Sequence, residues 1–290
     1  MIRLVRADVD VMNAALDGDG ALARALGHAV VPSWATFRQA LEPLRDVLAA
    51  DPSRADWGTR LFVTEEPREL VGWGGFKGPP EDGVAELGYE IAPSRQGRGL
   101  ATAAVHALLA EAFAHGRVTE VIAHTLAERN ASNRVLEKAG FVFDADEWQD
   151  GVAVWRYSLP RDSRAGVVQQ GIAAFNRRDF DAALALAPDD VTWEPLLSRA
   201  ESPLLRGRDE IRAAWESQVE ALDVRVEPRE LIPAGEDHVI VSLRMVGHGR
   251  GSDMPVSTAA TMMWTFGDDG RWARVRLFDG VEEALAAVGH

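Results

Sequence analysis

The sequence predicts an α+β fold in two domains, and three observations carry that prediction. The chain has 290 residues, more than one ordinary domain holds. Apolar residues alternate with period two in some segments and recur at helical spacing in others, and the two kinds are interleaved. A short polar joint, Pro160-Arg161-Asp162-Ser163-Arg164, interrupts the pattern past the middle. The expected domains are 1–160 and 165–290.

In the first domain, Met1 to Arg6 alternates like a first strand rather than like a signal peptide. Helical stretches follow, broken by Gly18-Asp19-Gly20 and Pro32. Leu61 to Thr64 and Glu69 to Trp73 read as a hairpin pair, and Ala85 to Ile91 as the next strand. Leu100 to His115 is a predicted helix, with Val105, Leu108, Leu109, Ala112 and Phe113 apolar and Gly116 closing it. Val118 to Thr125 is a strand, and a helix after Asn130 follows. Two last strands pass through Phe141 to Phe143 and Val152 to Leu159.

The second domain opens with a helix from about Ala165 and a short one over Asp181 to Leu186. Val191 to Pro195 is extended, and Gly207 to Trp215 begins a third helix. Four alternating segments, around 224–232, 238–248, 256–267 and 270–278, read as strands.

Composition narrows the function. There is no Cys, so disulfides, thiolate metal sites and a Cys nucleophile are excluded. The formal net charge is −14. Residues 1–160 hold 16 Lys+Arg against 23 Asp+Glu, and residues 161–290 hold 15 against 22. Neither half is basic, which argues against nucleic acid as a partner. The acidic balance suits a cationic substrate such as an amine, and also simple solubility. No apolar run is long enough for a membrane span, so a cytoplasmic protein is expected.

The most informative segment is Gly88-Tyr89-Glu90-Ile91-Ala92-Pro93-Ser94-Arg95-Gln96-Gly97-Arg98-Gly99-Leu100-Ala101-Thr102. A strand runs into a Gly-rich turn, and the turn into a helix. Free backbone N–H groups and the positive end of the helix dipole make an anion cradle there, suited to a pyrophosphate. The spacing is neither the dinucleotide fingerprint nor a P-loop. Its pattern, Gln96-x-x-Gly99-x-Ala101, resembles the acyl-CoA loop of the GNAT (GCN5-related) N-acetyltransferases. Asn130-Ala131-Ser132-Asn133-Arg134-Val135-Leu136-Glu137-Lys138-Ala139-Gly140-Phe141 is similar to the last-helix signature of the RimJ/RimL-like branch. Gly72 to Pro80 resembles that branch's central strand and turn. The three segments stand in family order, and the resemblance covers roughly residues 1–160.

That resemblance implies a mixed central sheet flanked by helices, and acetyl-CoA as co-substrate with no metal. It implies cofactor contacts at Ile91, Gln96, Gly97, Arg98, Gly99, Ala101, Thr102, Asn130 and Asn133. It also implies a primary amine, of a small molecule or a peptide N-terminus, as acceptor. Glu86, Gly88 and Glu90 share one strand face. Glu86 matches the position of the family's catalytic carboxylate, with Glu90 as the other candidate base. Many family members carry a Tyr in the last helix as acid for the leaving thiolate. Leu136 stands at that position here, and Ser132 is the candidate acid, or else a helix cap. His106, His115 and His124 read as structural or surface residues, and Trp34 and Phe37 as possible walls of the acceptor pocket.

Residues 165–290 resemble the SnoaL-like branch of the NTF2/ketosteroid-isomerase fold, an α+β cone. Ala174 to Asp179, Gly207 to Ile211 and the ending Phe278-Asp279-Gly280 with Glu283 carry the likeness. Such a cone encloses a pocket. Trp193, Trp215, Met245, Met262, Met263, Trp264 and Phe266 are its expected wall, and His238, His248, Asp253 and Asp279 the candidates for acid–base chemistry. The domain is expected to hold the acceptor, to support a homodimer, or to act separately. The rival to an acetyltransferase is a protein that binds an acyl-CoA without using it.

Overall fold

The structure is a computed structural model that describes residues 2–195, 204–248 and 255–288. The chain divides into two compact units. The first comprises residues 1–136 and 142–158, and the second residues 137–141 and 159–290.

The first unit opens with β1 (Ile2–Arg6), α1 (Val9–Leu16), α2 (Asp19–Leu26), the two-residue strand β2 (Ala29–Val30) and α3 (Leu41–Ala50). Asp8 caps α1 by accepting from Val11 N at 2.8 Å, and Gly27 ends α2 in the left-handed region. Then come β3 (Thr59–Thr64), β4 (Glu69–Phe76), β5 (Val84–Ile91), α4 (Leu100–Ala114), β6 (Glu120–Leu126), α5 (Ala131–Lys138), β7 (Val142–Gln149) and β8 (Val152–Pro160). The strands form one sheet in the order β1-β3-β4-β5-β6-β8-β7, with β2 paired to β4. Met12, Leu22, Trp34, Leu41, Leu61, Val63 and Leu70 form a core of helices on sheet. In α4 the buried residues Val105, Leu108, Leu109, Ala112 and Phe113 are joined by Thr102, Ala104 and His106. A helix apolar on so many sides belongs in the interior.

The sheet splits near its middle. β5 and β6 run parallel but pair only over Val84–Glu86 and Glu120–Ile122. Beyond Glu86 the strands part, and the wedge opens toward the C-terminal end of β5, where the Gly-rich turn begins.

The second unit holds α6 (Arg164–Asn176), α7 (Phe180–Leu184), β9 (Thr192–Trp193), β10 (Leu205–Arg206), α8 (Gly207–Ala221), β11 (Arg225–Ala234), β12 (His238–His248), β13 (Pro255–Phe266), β14 (Trp272–Phe278) and α9 (Val281–Val288). Ser163 caps α6 by accepting from Gly166 N at 3.1 Å. The sheet order is β10-β9-β14-β13-β12-β11, antiparallel except for β14 beside β9. α9 covers one face, over Ala234, Ile240, Met263 and Ala284. α6 and α8 lie over the other.

Candidate functional site

The Gly-rich turn is built to stay open. The buried residue Ile91 ends β5, and its carbonyl accepts from Gln96 Nε2 at 3.0 Å, which closes the loop on itself. The Arg95 guanidinium is held by Glu69 at 2.8 Å. Gly97 and Gly99 have φ of +72° and +74°, a region in which any other L-residue is strained. A Cβ at Gly97 would meet no atom within 4 Å. Gly99 is the N-cap of α4 and offers no side chain to its own helix. The first ladder bond runs from Ala103 N to Gly99 O at 3.0 Å. The N–H groups of Leu100, Ala101 and Thr102 therefore precede the ladder and are free for an anion. Arg98 stands exposed at the same place, while the Thr102 side chain turns inward. These groups fit a diphosphate.

At the opposite end of the wedge, Glu86 is the last β5 residue paired to β6. Its Oε1 takes the Lys77 ammonium and, at 2.7 Å, His124 Nδ1. His124 Nε2 lies 3.0 Å from Glu147 Oε2. His124, expected to be structural or on the surface, joins two carboxylates with a side chain only 8% exposed. Gly88, two residues on from Glu86, has open space where a Cβ would be. It forms a bare floor between Glu86 and Glu90.

Glu90 is differently engaged. Its Oε1 accepts from Thr36 N at 2.9 Å, from Phe37 N at 3.3 Å, and from the Trp73 indole. It ties the segment before α3 to β5. Phe37 is exposed, whereas Trp34 is fully buried with its indole N–H on Asp19 at 3.1 Å. Only Phe37 is free to wall a cleft.

Ser132 is not the cap of α5. Asn130 Oδ1 accepts from Ser132 N at 2.8 Å and Asn133 N at 3.2 Å, and Asn133 Oδ1 accepts from Asn130 N at 2.7 Å. This is a reciprocal capping box made of two asparagines. Asn133 is fully buried, and its amide donates to Thr125 Oγ1 at 2.7 Å. Ser132 Oγ is left for the hydroxyl of Tyr89, 2.9 Å away. Tyr89 thus reaches from β5 to α5. Burial pushes its phenol well above the ordinary range, against a smaller lowering by the Ser132 bond, so the hydroxyl stays protonated.

The second unit encloses a cavity of about 440 Å³ between α6, α8 and the sheet. Trp193, Trp215, Met245, Met262 and Trp264 line it as expected, joined by Phe175 and Trp272. Trp193 meets Trp215 at 5.2 Å and Trp264 at 6.0 Å between centroids, both edge to face. Met263 instead faces α9, since adjacent strand residues point opposite ways. Phe266, expected inward by parity, follows a register shift at Thr265/Phe266 and does not line the cavity. None of the acid–base candidates lines it either. His238, His248 and Asp279 lie elsewhere, and Asp253 is outside the described residues. Among the described residues the lining has no ionisable side chain. Its polar side chains are Ser217 and Gln218, beside the indole N–H donors of Trp193, Trp215, Trp264 and Trp272. Gln218 Nε2 lies 3.0 Å from the weak acceptor Met245 Sδ.

Comparison with known proteins agrees with this division. Residues 1–142 match the family model described as Acetyltransferase (GNAT) domain, and residues 168–275 the one described as SnoaL-like domain. A Bacillus subtilis (strain 168) protein named "Uncharacterized N-acetyltransferase YjdG" is 26% identical over 146 residues, 49% of this chain and 87% of that protein. Among solved structures, RV0760c from Mycobacterium tuberculosis, crystallised with estradiol-17beta-hemisuccinate, is similar at 16% identity and TM-score 0.36, over 40% of this chain and 92% of that one. A putative polyketide cyclase from Xanthomonas campestris pv. campestris is similar at 23% identity and TM-score 0.34, over 44% and 98%. The chain carries an acetyltransferase domain of the GNAT type followed by a SnoaL-like domain, and it is an acetyltransferase. GNAT acetyltransferases use acetyl-CoA. Among the described residues no His, Asp and Glu cluster could hold a metal ion, and no helix is long and apolar enough to cross a membrane.

Proposed function

We propose that the chain moves an acetyl group from acetyl-CoA to a primary amine of a small molecule or a peptide N-terminus. The observation that carries this reading is the wedge between β5 and β6. It has the Glu86 carboxylate at its closed end and the Gly97–Thr102 anion cradle beyond its open end. Gln96, Gly97, Arg98, Gly99, Ala101 and Thr102 hold the diphosphate, and the backbone near Ile91 lies along the arm. Asn130 and Asn133 shape the start of α5, with Asn130 the more exposed of the two.

Holding amine and thioester together supplies much of the rate, and a base adds roughly 10²–10⁴-fold. Glu86 takes one proton from the ammonium. The amine nitrogen then attacks the carbonyl carbon, the C–S bond breaks, and the second N–H proton ends on the sulfur. Ser132, bonded to the protonated Tyr89, is the candidate donor for that last step. Bare Gly88 leaves room for the acceptor between Glu86 and Glu90.

The second domain, with functional limits at about 165–290, helps to hold the acceptor. Among the described residues its cavity is lined by no acid or base, which supports binding rather than a separate reaction. The test is a library of amines with acetyl-CoA, read by released thiol. Glu86→Gln should then lower kcat with little change in the acetyl-CoA KM. Acetyl-CoA binding without thiol release from any amine would instead favour a protein that binds the cofactor and does not use it.

A further inference from the structure

His124 has a carboxylate at each ring nitrogen: Glu86 at 2.7 Å from Nδ1 and Glu147 at 3.0 Å from Nε2. A neutral imidazole has one N–H and one lone pair. In that form a lone pair would press against a carboxylate oxygen at hydrogen-bond distance, on a side chain nearly closed off from water. The doubly protonated ring donates both ways, and both bonds are then charge-assisted. The surrounding charges agree. Lys77 from the β4–β5 turn, Glu86 on β5, Glu120 on β6, Asp144 and Glu147 on β7, and Arg156 on β8 gather here. Arg156 meets Asp144 at 2.6 Å, Glu120 at 3.5 Å and Glu147 at 3.9 Å. Four carboxylates thus face two fixed cations, and a charged His124 supplies a third.

We propose that His124 is a positioning residue for acetyl transfer: as an imidazolium clamped between Glu86 and Glu147, it fixes the Glu86 carboxylate for the acceptor amine. The inference rests on Glu86 being the base. Both the Lys77 and His124 contacts fall on Glu86 Oε1, so Oε2 is the oxygen that meets the amine. Glu147 and Arg156 anchor the ring from behind, and a carboxylate otherwise free to rotate is held in one orientation before substrate arrives.

The test uses the full chain and has two parts. In ¹⁵N spectra at pH 7, with His124 assigned by difference from His124→Asn, both ring nitrogens should appear protonated. A bare ring nitrogen overturns the proposal. If His124→Asn does not fold, Glu147→Gln, on the more exposed partner, serves for assignment and should return the ring to one bare nitrogen. In kinetics with the amine found by the screen, His124→Asn should lower kcat roughly tenfold, part of what a base contributes, at unchanged acetyl-CoA KM. In a Glu86→Gln background it should cost nothing further. Fully additive losses, as for a merely structural histidine, overturn it. If Glu86→Gln slows the enzyme but His124→Asn does not, this inference alone fails. If Glu86→Gln has no effect, the base assignment fails and takes this inference with it.

Discussion

Gly99→Glu gives a quantitative test of the acetyl-CoA cradle, because the structure supplies its own control. Gly99 has φ +74° and sits at the start of α4, while Gly151 has φ +80° in the turn between β7 and β8, with no atom within 4 Å of an added Cβ. A glutamate at either position meets left-handed strain of roughly 1–2 kcal/mol. At about 2–4 °C per kcal/mol for a unit of this size, each variant should melt roughly 2–8 °C below the parent. Acetyl-CoA at ~100 times its Kd should stabilise the parent by about 2.7 kcal/mol, a rise of roughly 5–10 °C.

Only Gly99→Glu also sets a carboxylate against the diphosphate. Two unit charges 4 Å apart at an effective dielectric of 20 repel by about 4 kcal/mol, close to a thousandfold in Kd. At the same ligand concentration the stabilisation would shrink to about 0.1 kcal/mol. The assay is thermal melting of the full chain with and without acetyl-CoA. Gly151→Glu should keep the whole ligand-induced rise and Gly99→Glu should lose it. A rise preserved in Gly99→Glu, or lost equally in both, would refute the assignment.

Tyr89→Phe removes the bond to Ser132 and should cost about 1 kcal/mol at neutral pH, read by denaturant melts. The phenol's ionisation is raised by folding, so its contribution is complete below about pH 10, the unfolded value, and falls away above it. The alkaline decline in stability should therefore be shallower in Tyr89→Phe than in the parent; identical slopes would show that Tyr89 does not report burial. Gln218→Leu should weaken binding of neutral 2-acetylnaphthalene, followed by quenching of tryptophan emission, and leave 2-methylnaphthalene unaffected. Tight binding of 2-naphthoate would contradict the uncharged cavity. A fragment ending at residue 160 should keep acetyl-CoA affinity and gain a higher acceptor KM. Equal kinetic constants for fragment and full chain would leave the second domain without a part in acceptor binding.

The Gly-rich turn was legible in the sequence because its geometry is local. Two glycines at left-handed positions, a strand before them and a helix after them are all contained in one short run. That a polar residue caps α5 was recognisable for the same reason, but the pairing of Asn130 with Asn133, read from sequence as cofactor contacts, needed coordinates. What stayed hidden depends on long-range register. Glu86 and His124 meet because β5 and β6 pair in parallel across 38 positions of sequence, and Tyr89 meets Ser132 across 43. Glu90 looked equivalent to Glu86 by strand parity, and only the fold shows that the backbone of Thr36 and Phe37 occupies it.

In the second domain, period two explains both what was right and what was missed. Met262 and Trp264 share a face and enter the cavity, and Met263 between them cannot. The irregular step at Thr265/Phe266 shifts the pairing with β14, and a period-two extrapolation stops being valid there. The same lining shows why titratable residues are poor guides without coordinates. His238, His248 and Asp279 lie on or next to the right strands, yet the cavity presents Trp, Met, Leu and Val. The two sites are thus chemically complementary. The first has a carboxylate held in place on a face rich in acidic groups, as an ammonium requires. The second is aromatic and, among the described residues, uncharged, as an apolar body requires. Each lining therefore sets the chemistry of its own ligand: the wedge suits a group that gives up a proton to a carboxylate, and the cavity suits an apolar body that fills the space between Trp193, Trp215, Met262 and Trp264.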